Sequence, residues 1–220
     1  MKKLSFLLML LFAGAALFAQ SEKYVKAMEP KVAALDTTHN TEALKDLANS
    51  FERIADAEKT QWLPYYYAAL AHVNAGYMVG MGDNGMGGNA DKSDPEADKA
   101  DELIKKAEAL SKDNSEIWVV KKMIATLHMM GDPMNRYMTY GPQAAEALAT
   151  AKKINPENPR VYLLEGQDKF YTPEQYGGSK EEAKKLFKEA SEKFEKFKPE
   201  SSIHPYWGAY QTKYFLSLAK

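Results

Sequence analysis

Beyond Ser21 the apolar residues recur at helical spacing, and no run alternates apolar and polar for more than a few positions. Leu44, Leu47, Phe51, Ile54 and Ala55 make one stripe, and Ala100, Leu103, Ile104, Ala107 and Leu110 a second. Ala144, Leu148, Ala151 and Ile154 make a third; Ala183, Leu186, Phe187, Ala190, Phe194 and Phe197 make a fourth. Lys and Glu fill the opposite faces, so each stripe predicts the buried side of one amphipathic helix and the chain reads as all-α. The charged segment from Lys180 to Lys198 is then a solvated helix face.

Helix entries carry their own chemistry. Ser179 with Glu182, and Ser93 with Glu96, each fit a capping box, in which hydroxyl and carboxylate satisfy free amides at a helix start. Pro95, Pro142, Pro159 and Pro205 suit first helical positions, where a missing N–H costs nothing.

Three stripes share one internal spacing: Ala100, Ile104, Ala107; Ala144, Leu148, Ala151; Ala183, Phe187, Ala190. Eleven residues beyond the last Ala stand Trp118 and Tyr162, and Tyr65 follows Ile54 at the same distance. This pattern, with Pro156, resembles the A-x3-F-x2-A second helix of the tetratricopeptide repeat and the aromatic that opens the next repeat. The resemblance covers roughly residues 41 to 198. It implies an array of antiparallel helix hairpins, about three to four with a further C-terminal helix. Four residues after the aromatic the family needs a small side chain; Ala69 and Gly166 comply and Lys122 does not. Asn158, Pro159, Arg160, then Phe170, Thr172, Pro173, Gly177, Gly178, and Trp207, Gly208 also look like a branch of exported bacterial TPR-like proteins, a likeness that bears on architecture.

The start of the chain places the molecule. Lys2 and Lys3 precede an uncharged apolar run from Leu4 to Phe18 that closes on Ala19, the layout of a cleavable signal peptide over 1–19. The expectation is a single repeat domain over 20–220, periplasmic or secreted, with no membrane span after removal of the leader. The chain holds 29 basic and 30 acidic residues; losing two lysines leaves 27 against 30, or −3, which does not suit nucleic acid. Without cysteine there is no disulfide framework.

The repeats are lengthened at one corner. Counting sixteen residues from each opening aromatic predicts second-helix starts at 81, 134 and 178, whereas the triplets begin at Ala100, Ala144 and Ala183. Stacked repeats align equivalent turns, so the three inserted loops are expected along one edge. Asn84 lies in the first loop, Arg136, Tyr137 and Tyr140 in the second, Tyr171 and Tyr176 in the third, and these six form the candidate partner-binding set. Tyr and Arg are common interface anchors. Packing of one loop on another accounts for the same residues, and for Arg136 and Arg160 internal pairing with an Asp or Glu outweighs capture of a ligand carboxylate.

Eight of the eleven methionines lie between Met78 and Met138, with Met78, Met81 and Met86 at the first loop. Thioethers can hold Cu(I), and His72 or His128 would add imidazole, but no tight Met-His cluster is spelled out. Asp83, Asn84, Asn89, Asp91 and Asp94 fail the calcium-loop spacing. There is no cysteine nucleophile, G-x-S-x-G, H-E-x-x-H or P-loop, so no catalytic residue and no cofactor is expected. The leading expectation is a non-enzymatic scaffold holding a protein or peptide of the cell envelope, in the concave groove of first helices or on the loop edge. The alternative is a small-ligand or copper carrier using the Met, Tyr and Arg residues near the loops.

Overall fold

The computed structural model describes residues 22–80 and 87–219; the predicted leader 1–19, Met81, Asn84 and Met86 lie outside the described residues. Helix α1 covers residues 22–37, followed by α2 (Thr41–Glu58), α3 (Trp62–Gly80), α4 (Ala90–Leu110), α5 (Ser115–Gly131) and α6 (Pro133–Ile154). Then come α7 (Pro159–Tyr171), a 3-10 turn (Glu174–Tyr176), α8 (Lys180–Lys196) and α9 (Ala209–Leu218), with no strand among the described residues. The architecture is all-α, and sequential helices pair into hairpins: α3 with α4, α5 with α6, α7 with α8.

The predicted stripes are the glue. Leu44, Phe51, Leu103, Ile104, Ala107, Leu148, Ala151, Phe187 and Ala190 are buried in one continuous core. Each large apolar side chain so buried contributes roughly 1.5 to 3 kcal/mol. Side-chain caps fix several helix starts: Asn40 accepts from the Ala43 amide (3.0 Å), Asn114 from Glu116, Asn158 from Arg160 and Ser179 from Glu182. Such a cap is worth about 1 kcal/mol. Gly166, at the predicted small position, lets α7 close on α8, since a Cβ there would lie 2.5 Å from the Phe187 ring. Lys122 breaks the small-residue rule by reaching out of a buried position to Asp168 of α7, at 2.6 Å.

Three expected helix entries are elsewhere. Pro95 lies inside α4 and Pro142 inside α6, while Pro205 sits in the segment that precedes α9. At α4 the expected Ser93–Glu96 box is replaced: the Ser93 hydroxyl donates to the Asn89 carbonyl, and Glu96 is engaged by His72 and Lys45. At α6 Asp132 is the cap and Pro133 opens the helix, so the ten-residue insertion there is extra helix rather than loop. Two contacts hold that extension down: Arg136 pairs with Asp94, and Tyr140 stacks on His128 at 4.8 Å.

After α8 the chain folds back across the first helices. Ile203 is buried and its carbonyl accepts from Tyr67 of α3, while Ser202 donates to Glu29 of α1. The two ends of the array therefore meet. Gly208, at φ 109, turns the segment into α9; a Cβ there would strike Phe194 at 2.6 Å.

Candidate functional site

Where the ends meet, a cleft of about 320 Å³ opens against the first helices. That volume falls within the range of small-ligand sites. Leu70 and Tyr77 of α3, Leu163 and Leu164 of α7 and Val32 and Leu35 of α1 give it apolar walls, and Trp207 and Tyr206 of the returning segment add aromatic surface. Asn74, Gln167 and Gln211 supply neutral amides, Asp36 and His39 stand at α1 and its exit, and among the described residues no Lys or Arg lines the cleft.

The tyrosines are fixed parts of the wall. Tyr77 donates to the Met123 carbonyl and Tyr67 to that of Ile203, each at 2.9 Å. Burial pushes both phenols above their ordinary pKa, so they stay neutral donors through the physiological range. Burial, with the charge of Asp36 in support, raises Tyr206 as well. Trp207 is held twice: its indole N–H donates to Tyr66 Oη at 2.9 Å, and its ring lies 5.1 Å from the guanidinium of Arg160.

The sequence-predicted residues fall elsewhere. Arg136 forms a two-pronged ion pair with Asp94 (2.6 and 2.7 Å) and also donates to the His128 carbonyl. That pairing holds the Asp94 carboxyl below its ordinary pKa. First and second insertions meet through this pair, and the Gly88 amide donates to the Met130 carbonyl at the end of α5. Tyr137 is exposed, alongside Met134 and Met138. Tyr140 covers His128, whose Nε2 is 3.1 Å from Asp101. Tyr171 packs edge-on against Phe170 and Phe215, in a separate aromatic neighbourhood, and Tyr176 is exposed in the 3-10 turn.

For the copper alternative, both imidazoles already face carboxylates: His72 Nδ1 is 2.7 Å from Glu96 and His128 lies among Asp94, Asp98 and Asp101. Burial alone would raise the Glu96 carboxyl, but hydrogen bonds from His72 and Lys45 outweigh it and hold the group low. Among the described residues no group of three or more His, Asp or Glu side chains is arranged to hold a metal ion. Of the three methionines named for it, Met78 borders the cleft, and Met81 and Met86 lie outside the described residues.

The cleft residues carried one sequence signal. Helix α3 buries residues on every side, including Tyr66, Tyr67, Leu70, Val73 and Gly76. A helix apolar all round must have a covered face on each side. Here one side is the array core and the other the cleft.

No protein-family model matches the chain, and no curated protein matches it. Among solved structures it is similar to the HusA haemophore from Porphyromonas gingivalis, at 34% identity and a TM-score of 0.78. The match covers 90% of this chain and 92% of that one. The chain belongs to the HusA haemophore family. The match therefore takes in nearly the whole of the helical array. Among the described residues no helix is long and apolar enough to cross a membrane.

Proposed function

We propose that this protein is an exported, non-enzymatic carrier of a flat, largely apolar small molecule of the tetrapyrrole class, haem or a related porphyrin, held in the cleft. The observation that carries the reading is the cleft itself: aromatic and aliphatic walls with neutral amides among them, in a chain 34% identical to a haemophore. Apolar walls recognise a ring system by its faces, and the solvent-facing mouth leaves room for its acidic substituents. This replaces the peptide scaffold as the leading function and moves the carrier's site from the loops to the groove. Met78, Met123, His39 and Tyr206 border the cleft and carry side chains of the types that ligate a haem iron. The buried Ala100, Ile104, Ala107 spacing supports a tetratricopeptide-type reading of the hairpins. The likeness to a haemophore and the apolar leader favour an extracellular or periplasmic location.

Titration of the purified chain with hemin and with metal-free protoporphyrin IX, followed by absorbance and tryptophan quenching, tests this. Saturable one-to-one binding is expected. Asn74→Trp, which plugs the cleft from the half-buried face of α3, should weaken it at least about tenfold, near 1.4 kcal/mol. Unchanged affinity in that variant places the ligand elsewhere, and absence of binding to either porphyrin ends the reading.

A further inference from the structure

Behind the cleft wall lies a closed ring of four polar contacts. Arg160 is fully buried, and its Nη1 meets Glu116 Oε1 at 3.0 Å. Tyr66 donates to the other oxygen of Glu116 at 3.2 Å, and the Trp207 indole donates to Tyr66. The ring closes where the Arg160 guanidinium meets the Trp207 face, with Phe197 at 4.9 Å and Phe194 at 5.7 Å on its other approaches.

The guanidinium is unusual in what it leaves unused. Its Nε and Nη2 are buried and have no hydrogen-bond partner among the described residues. A buried cation with one carboxylate and two idle nitrogens is costly unless the ring faces around it repay part of the lost solvation. Three aromatic rings do so here, and Trp207 alone of the three lines the cleft. The charge is therefore tied to one of the aromatics that line the cleft.

We infer that Arg160 is a positioning residue for the cleft: it sets the tilt of Trp207, against which a flat ligand packs, without contacting the ligand itself. Arg160 stands on α7, and Trp207 belongs to the returning segment 47 residues further along the chain. The indole is fixed edge-on by Tyr66 and face-on by Arg160, so the wall is set before a ligand arrives. Pre-setting a wall lowers the ordering cost of binding. The inference rests on the cleft being the ligand site.

The test is a double-mutant cycle with protoporphyrin IX as the probe. Arg160→Lys keeps a charge for Glu116 but offers no flat face to the indole. It should weaken porphyrin binding by about tenfold in the wild-type background, yet by less than about twofold when Trp207 is already Leu. Equal losses in both backgrounds, or no loss in either, would overturn the inference. If Arg160→Lys fails to fold, Tyr66→Phe removes the indole's acceptor and keeps the charge, and should follow the same pattern with a loss of about threefold. A readout independent of porphyrin comes from 5-fluorotryptophan labelling, with the Trp207 resonance assigned by its loss in Trp207→Phe. Arg160→Lys should shift that resonance and leave Trp118 in place. If the wild type binds no porphyrin, the cleft reading falls alone, and an unmoved Trp207 resonance would separately end the positioning role.

Discussion

Two arginines of this chain pair with carboxylates in ways that look alike on paper and differ in setting. Arg160 and Glu116 lie behind the cleft, with 0% and 15% of their side chains exposed. Arg136 and Asp94 lie at the corner where the first two insertions meet, at 28% and 29%. The corner pair has the better geometry, two short prongs against one. Geometry is not what decides its weight. At the corner, water already solvates both partners, so breaking the pair exposes them to little that is new. Behind the cleft Arg160 is fully buried, so removing its partner leaves a charge that solvent does not reach. The same chemical pair thus fastens a helix extension at one site and holds a binding wall at the other.

The sharpest way to break that contrast is to remove the anion behind the cleft. Glu116→Leu strands the Arg160 charge and also takes away the acceptor of Tyr66 and of Asn158 (2.8 Å). A loss of about 3 to 5 kcal/mol in urea unfolding is expected. A loss near 1 kcal/mol would mean that the three rings hold the cation without Glu116.

The corner pair is expected to be lighter. Arg136→Ala should cost about 1 kcal/mol at neutral pH. The guanidinium holds Asp94 below its ordinary value, so its contribution has a defined sign. It is complete above the unfolded Asp pKa of about 3.9 and disappears as pH falls through the lowered folded value. Unfolding curves of wild type and variant should therefore converge in acid. A gap that persists below the folded pKa would assign the loss to packing of the arginine stem instead.

Much of this architecture was legible because it is local. The four stripes, the Ser179 cap and the Asn158–Pro159 entry to α7 depend on residues within one or two helical turns. Internal pairing of both arginines was legible in kind, since Arg160 in a first helical turn opposes the dipole and needs a partner. What stayed hidden depends on tertiary anchors. Pro142 reads as the first position of a helix, yet α6 already runs from Pro133 because Arg136 and Tyr140 pin its first turns to Asp94 and His128. The cleft was hidden for the same reason: its wall joins Trp207 to Tyr66 across 141 residues, and no spacing rule reaches that far. Loop insertions advertise themselves in a repeat count, whereas the groove left only the all-round apolar character of α3 as a sign.

The smallest expected effect sharpens the comparison most directly, because it asks whether the corner takes any part in ligand binding. Met134 and Met138 are 92% and 81% exposed on the extended start of α6, with Tyr137 between them in sequence. An exposed thioether buries almost nothing in the folded state, so exchanging it for a hydroxyl removes little apolar contact. Surface changes of this kind usually stay within ±0.5 kcal/mol. Met134→Ser with Met138→Ser should therefore leave the urea midpoint within that margin. If the cleft alone holds the ligand, protoporphyrin affinity should change by less than about twofold, near 0.4 kcal/mol. A loss approaching tenfold with an unchanged midpoint would return the methionines to the ligand site. It would show that the corner and the cleft, distinct in their arginine pairs, act on the same ligand.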